Sequence, residues 1–125
     1  MSTTVRRWLL LGGAIGLEVS ASLALKAALD APALHVLVVA GYVGSFACLG
    51  GTLRAGMPLG VAYGIWGATG VALTAVLSTA LFAEPLTPLM GIGIVLIIGG
   101  VLLVELGSQA AHRRRGAATA QDGAR

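Results

Sequence analysis

Four apolar runs, each ended by turn-forming residues, constrain this chain more than any other feature; they cover about 8–29, 33–53, 58–82 and 88–106. An α-helix rises about 1.5 Å per residue, so roughly 20 apolar residues cross a hydrocarbon core about 30 Å thick. A helix also satisfies its own backbone hydrogen bonds in lipid. A transmembrane barrel would instead need many short alternating strands, and no such pattern occurs here. The sequence therefore predicts an all-α membrane protein with four transmembrane helices. Composition agrees, because 57% hydrophobic and only 10% charged residues lie outside the range of a water-soluble domain. The 19 glycines would weaken soluble helices, whereas membrane helices use them to bring backbones together.

Turn chemistry marks the breaks: Asp30 and Pro32, then Arg54, Gly56 and Pro58, then Glu84, Pro85 and Pro88. Connections this short force consecutive helices to run antiparallel and leave no room for an extramembrane catalytic domain. Residues 1–7 read as a cytoplasmic N-terminus, 8–106 as the four-helix transmembrane domain, and 107–125 as a disordered basic C-terminal tail. A signal peptide is the competing reading of the first run, since Arg6 and Arg7 precede it and small residues end it. Glu18 and Lys26 within that run, and three further spans, favour a retained helix.

Glu18 stands midway along the first span, where a charge costs roughly 2.5–3.5 kcal/mol even on the lenient insertion scale. Lys26, the one basic residue of the same helix, is two turns away and close enough to the end to snorkel toward the interface. A cation stabilises such a carboxylate and a proton neutralises it. One group that cannot hold both at once couples their movements in opposite directions, which is the minimal physics of antiport. The alternative is a permanently protonated Glu18 that hydrogen-bonds Ser20, Ser22 or Thr69. Ala14, Glu18, Ser22 and Leu25 share one helix face, small beside the carboxylate, and that leaves space for a ligand.

Tyr42, Ser45, Phe46 and Leu49 form a stripe on the second helix, and Tyr63 and Trp66 stand three apart on the third. Aromatic faces opposite a carboxylate suit an organic cation, although each ring taken singly also fits ordinary packing. Gly12 with Gly16, and Gly60, Gly67 and Gly70, predict close helix contacts; Gly93 and Gly100, with Gly99 adjacent, mark a face of the fourth helix for a second subunit or for intrachain packing. Four short helices enclose little volume, so a dimer is the natural minimum. Cys48 is alone and can form no intramolecular disulfide, and His35 and His112 share no ligand spacing with carboxylates, so neither a metal nor a cofactor is expected. No nucleophile, base and orienting group recur at usable spacing, which speaks against an enzyme. The net charge of +3 comes from residues flanking the spans, without nucleic-acid recognition motifs.

Taken together, the segments GGAIGLEVSASLALK, YVGSF, PLGVAYGIWGATGV and GIGIVLIIGGVLL resemble the small multidrug resistance family in order and spacing across nearly all of the membrane-embedded chain. The resemblance implies an antiparallel dimer that exchanges between two inverted states. It also implies a proton-coupled exporter of cations in the inner or plasma membrane. Glu18 would then be the carboxylate that binds proton or substrate in turn. Tyr42, Phe46, Tyr63 and Trp66 would line the substrate pocket, and Gly93 with Gly100 would form the dimer face. Where the guanidinium-exporting branch carries Trp three residues after the essential Glu, this chain has Ala21, which looks more like the quaternary-ammonium and multidrug branch. Glu105 departs from the family's usual Asn or Lys and reads as a solvated interfacial carboxylate. Guanidinium export, or a non-transporting partner subunit, are the alternatives.

Arg6, Arg7, Arg54 and Arg113 to Arg115 fall on one side of the four-span topology and Lys26 alone on the other, which predicts both termini in the cytoplasm. So strong a bias suits one fixed orientation. Pairing with an oppositely oriented paralogue is then expected beside the homodimer.

Overall fold

The computed structural model describes residues 1–124; the last residue of the 107–125 tail lies outside it. The four expected helices are present: α1 Thr3–Ala27, α2 His35–Arg54, α3 Leu59–Phe82 and α4 Pro88–Gly123, with a single 3-10 turn, Pro32–Leu34, leading into α2. Each is long and apolar enough to cross a membrane. There is no strand among the described residues.

Local chemistry sets where the helices begin and end. Ser2 caps α1 by accepting from the Val5 amide at 3.2 Å, and Thr87 caps α4 by accepting from Met90 at 3.2 Å, with Pro88 supplying a helical φ behind it. The end of α2 is a Schellman turn. Gly56 takes φ +98°, its amide donates to the Leu53 carbonyl at 3.0 Å, and the Met57 amide donates to Thr52 at 3.3 Å. That geometry turns Met57 into the core. The end of α3 uses the same left-handed conformation at Ala83, φ 54°, where no glycine relieves the Cβ clash.

Helix α1 is central, packed along both α2 and α3, while α4 lies against α3 alone. The core runs through Leu11, Ala14, Leu49, Met57, Ala62 and Trp66. It is small, and large apolar side chains such as Val36, Val39, Leu89, Val95 and Leu96 point outward, more than 60% exposed. In water such a surface would aggregate; in a bilayer it meets acyl chains of the same polarity. Helices α1 and α2 approach closely at Gly41, where a Cβ would come within 2.9 Å of the Ala21 Cβ. At Gly12 and Gly16, expected to bring helices together, an added Cβ would meet no other part of the chain within 4 Å.

The tail differs from its expectation. Helix α4 does not stop near Leu106 but continues to Gly123. Polarity marks the end of the apolar run without ending the helix, because Ala, Arg and Gln are good helix formers and no proline follows Pro88. At about 1.5 Å per residue the 36-residue helix is about 54 Å long, well beyond a hydrocarbon core of about 30 Å.

Candidate functional site

Glu18 projects from α1 toward α3 and meets the backbone at Gly70, where a Cβ would sit only 2.8 Å from the Glu18 Cδ. Glycine at this position is therefore what lets the carboxyl occupy the space between the helices. Glu18 Oε2 is buried and has no hydrogen-bond partner. The hydroxyls that could have satisfied it are engaged elsewhere or out of reach: Ser22 Oγ is 3.0 Å from the Tyr42 hydroxyl, and neither Ser20 nor Thr69 bonds the carboxyl. An orphaned carboxyl oxygen in a low-dielectric setting is costly, and both a proton and a bound cation relieve that cost.

The carboxyl opens onto a groove of about 330 Å³ lined by Glu18, Ser22, Val71, Thr74, Ala75, Ser78, Glu84 and Met90. Its far end is polar. Lys26 and Glu84 form an ion pair there, the one salt bridge among the described residues. Ser78 donates to Glu84 Oε2 at 2.8 Å, and the Lys26 ammonium lies 3.5 Å from Ser78 Oγ and 4.8 Å from the centre of the Phe82 ring. Hydrogen bonds from Lys26 and then Ser78 hold the Glu84 carboxyl below the usual carboxylate range.

Three of the four predicted aromatics form one cluster. Trp66 is buried, with Phe46 edge-on at 5.4 Å between centroids and Tyr63 edge-on at 5.2 Å. Trp66 Nε1 donates to Ser45 Oγ at 3.2 Å, and Ser45, fully buried, donates to the Ala14 carbonyl at 2.7 Å. Ala14 is one turn before Glu18, and Trp66 one turn before Gly70, so this relay fixes the α1–α3 interface just beside the carboxyl. Phe46 and Tyr63 keep more than half of their surface exposed. Tyr42 stands apart from the cluster and reaches the Glu18 face through Ser22. Within one chain the aromatic cluster and the carboxyl groove are neighbouring features rather than a single pocket: Tyr63 lines a separate apolar groove with Leu59, Gly60, Gly64 and Val104.

Of the predicted glycines, Gly70 abuts the carboxyl, while a Cβ added at Gly67, Gly93 or Gly100 would meet no other part of the chain within 4 Å. Ser45, Ser78 and Glu84 take site roles that sequence reasoning did not assign, Ser45 having stood only in a stripe and Glu84 only in a turn. Ser45 carried a signal in its stripe with Tyr42 and Phe46. The other two lie in and beyond the last turn of α3, where only the folded arrangement brings them to Lys26.

The family described as Small Multidrug Resistance protein matches residues 6–97. The chain is 39% identical over 105 residues to a multidrug transporter of Pseudomonas aeruginosa, covering 82% of this chain and 94% of that relative. It is 40% identical over 86 residues to the multidrug resistance protein EbrB of Bacillus licheniformis, covering 69% of this chain and 71% of that one.

Proposed function

The chain belongs to the small multidrug resistance family, and from that premise we propose that it is a proton-coupled antiporter exporting lipophilic or quaternary ammonium cations, with Glu18 holding proton and substrate in turn. The observation that carries this reading is the orphaned Glu18 oxygen within a helical bundle of membrane-spanning character. A cation entering the groove meets a carboxylate whose charge is otherwise unpaired. A proton arriving from the other side displaces it, and the same group is then reset.

The working unit is an antiparallel dimer, in which a second Glu18 or its equivalent completes the pocket. Phe46 and Tyr63, with bare outer faces beside buried Trp66, are the aromatic surface such a partner would close over the cargo. Tyr42 positions the Glu18 face through Ser22. The open glycines Gly67, Gly93 and Gly100 supply close approach for the partner's helices. The partner is a second copy or an oppositely oriented paralogue. Both termini lie in the cytoplasm, on the side of the arginines.

The test is transport in liposomes. Vesicles containing the purified protein and acidic inside should accumulate tetraphenylphosphonium, and Glu18→Gln should reduce accumulation to the protein-free background. Transport unaltered in that variant would overturn the mechanism.

A further inference from the structure

The far end of the Glu18 groove holds a cation already. The Lys26 ammonium is paired with the Glu84 carboxylate, hydrogen-bonded to Ser78 and placed 4.8 Å over the Phe82 ring. A carboxylate and an aromatic face are the two elements that bind an alkylammonium or quaternary ammonium ion, and here both are aimed at one point. Ser78 fixes the carboxylate by donating to its other oxygen at 2.8 Å. Glu84 is about half exposed, so the site is reachable from solvent, and it shares a groove wall with Glu18. The occupant is tethered by a flexible four-carbon stem in the last turn of α1, from which it can snorkel to the membrane surface when displaced.

Resting on the cation-export reading above, we propose that Glu84, Ser78 and Phe82 form a second cation site at the mouth of the groove. Lys26 occupies it at rest, and an ammonium cargo leaving Glu18 toward the non-cytoplasmic side takes it over on the way out. Lys26 is then a built-in competitor for cargo rather than a structural staple. The two roles predict opposite signs. If the ion pair were a staple, removing either partner would have the same effect. If Lys26 competes, removing Lys26 strengthens cargo binding and removing Glu84 weakens it.

The experiment is equilibrium binding of tetrapropylammonium to the full chain in detergent micelles by calorimetry. Lys26→Met should tighten binding about fivefold, near what one solvent-exposed cation–aromatic contact supplies, and Glu84→Gln should weaken it by a similar factor. Lys26→Gln, which keeps a polar group beside Ser78, should tighten binding in the same direction and guards against a folding defect in the methionine variant. The mouth site is isolated in Lys26→Met combined with Glu18→Gln, which should retain a weaker binding event that a further Glu84→Gln removes. Equal binding by the double and triple variants would overturn the proposal, as would weakened binding in both lysine variants. Loss of proton-driven transport belongs to Glu18 and is read separately in liposomes. If wild-type protein moved no cation, the export reading would fall, and the binding series would still decide whether the mouth site exists.

Discussion

At the scale of single residues, one carboxyl and the glycine facing it carry the argument. Gly70→Ala places a methyl where the Glu18 carboxyl sits, so the carboxyl must turn out of the interface. Cation affinity is expected to fall about tenfold or more, equivalent to about 1.4 kcal/mol, with little loss of helix content, measured by tetraphenylphosphonium binding and circular dichroism. Ser45→Ala leaves the buried Trp66 Nε1 without its acceptor, which should cost about 1–3 kcal/mol. A double-mutant cycle with Trp66→Phe in thermal unfolding would measure the coupling. Independent effects of the two substitutions would show that the relay is not energetically joined. The isolation of Glu18 was legible from the sequence because a lone charge among apolar residues is visible without any partner. Gly70 was visible only as part of a packing stripe, since sequence records the absence of a side chain but not what fills the space. Glu84, in the α3–α4 connection, could not be assigned to Lys26, which lies on α1 far back along the chain.

At the scale of elements, the connections carry more information than the spans. Ala83 ends α3 in the left-handed region, φ 54°, which costs a non-glycine residue roughly 1–2 kcal/mol. Ala83→Gly removes that strain and adds roughly 0.4–1 kcal/mol of unfolded-chain entropy, so a net gain of somewhat under about 1 kcal/mol is expected, read as a raised Tm. The adjacent Lys26–Glu84 pair should respond to acid with a definite sign. Because its partners depress the Glu84 carboxyl, the contribution of the pair is present above the ordinary carboxylate range and is lost as pH falls through that depressed value. Protection at the α3–α4 connection, taken relative to the intrinsic exchange rate at each pH, should therefore fall only in strong acid, and a fall near neutral pH would contradict the assignment. The four helices themselves were legible from run length and turn residues. The tail was not, because low hydrophobicity removes the drive to pack while leaving helix propensity intact, and Ala, Arg and Gln carried α4 onward from Leu106.

At the scale of the whole molecule, the two ends differ in charge and the sides differ in cover. Arg7 donates to the Gly56 carbonyl at 3.4 Å, which joins the start of α1 to the α2–α3 connection and places Arg6, Arg7 and Arg54 at one end, while Lys26 at the opposite end is already paired with Glu84. A chain of fixed orientation should show both termini labelled from the cytoplasmic side alone when single cysteines are introduced in a Cys48→Ser background. Equal labelling from both sides would favour dual insertion and a homodimer. Selectivity belongs to this scale as well. Competition between tetraphenylphosphonium and guanidinium is expected to favour the former, and the reverse order would move the chain to the other branch of the family. Helix α4, about 54 Å long by its 36 residues and held by α3 alone, is also a lever. A tilt of about 10° at its base would swing the tip by roughly 9 Å, from the rod length that 1.5 Å per residue gives. A spin label near its C-terminal end would therefore report, amplified, any rearrangement at the membrane that is too small to follow directly beside Glu18.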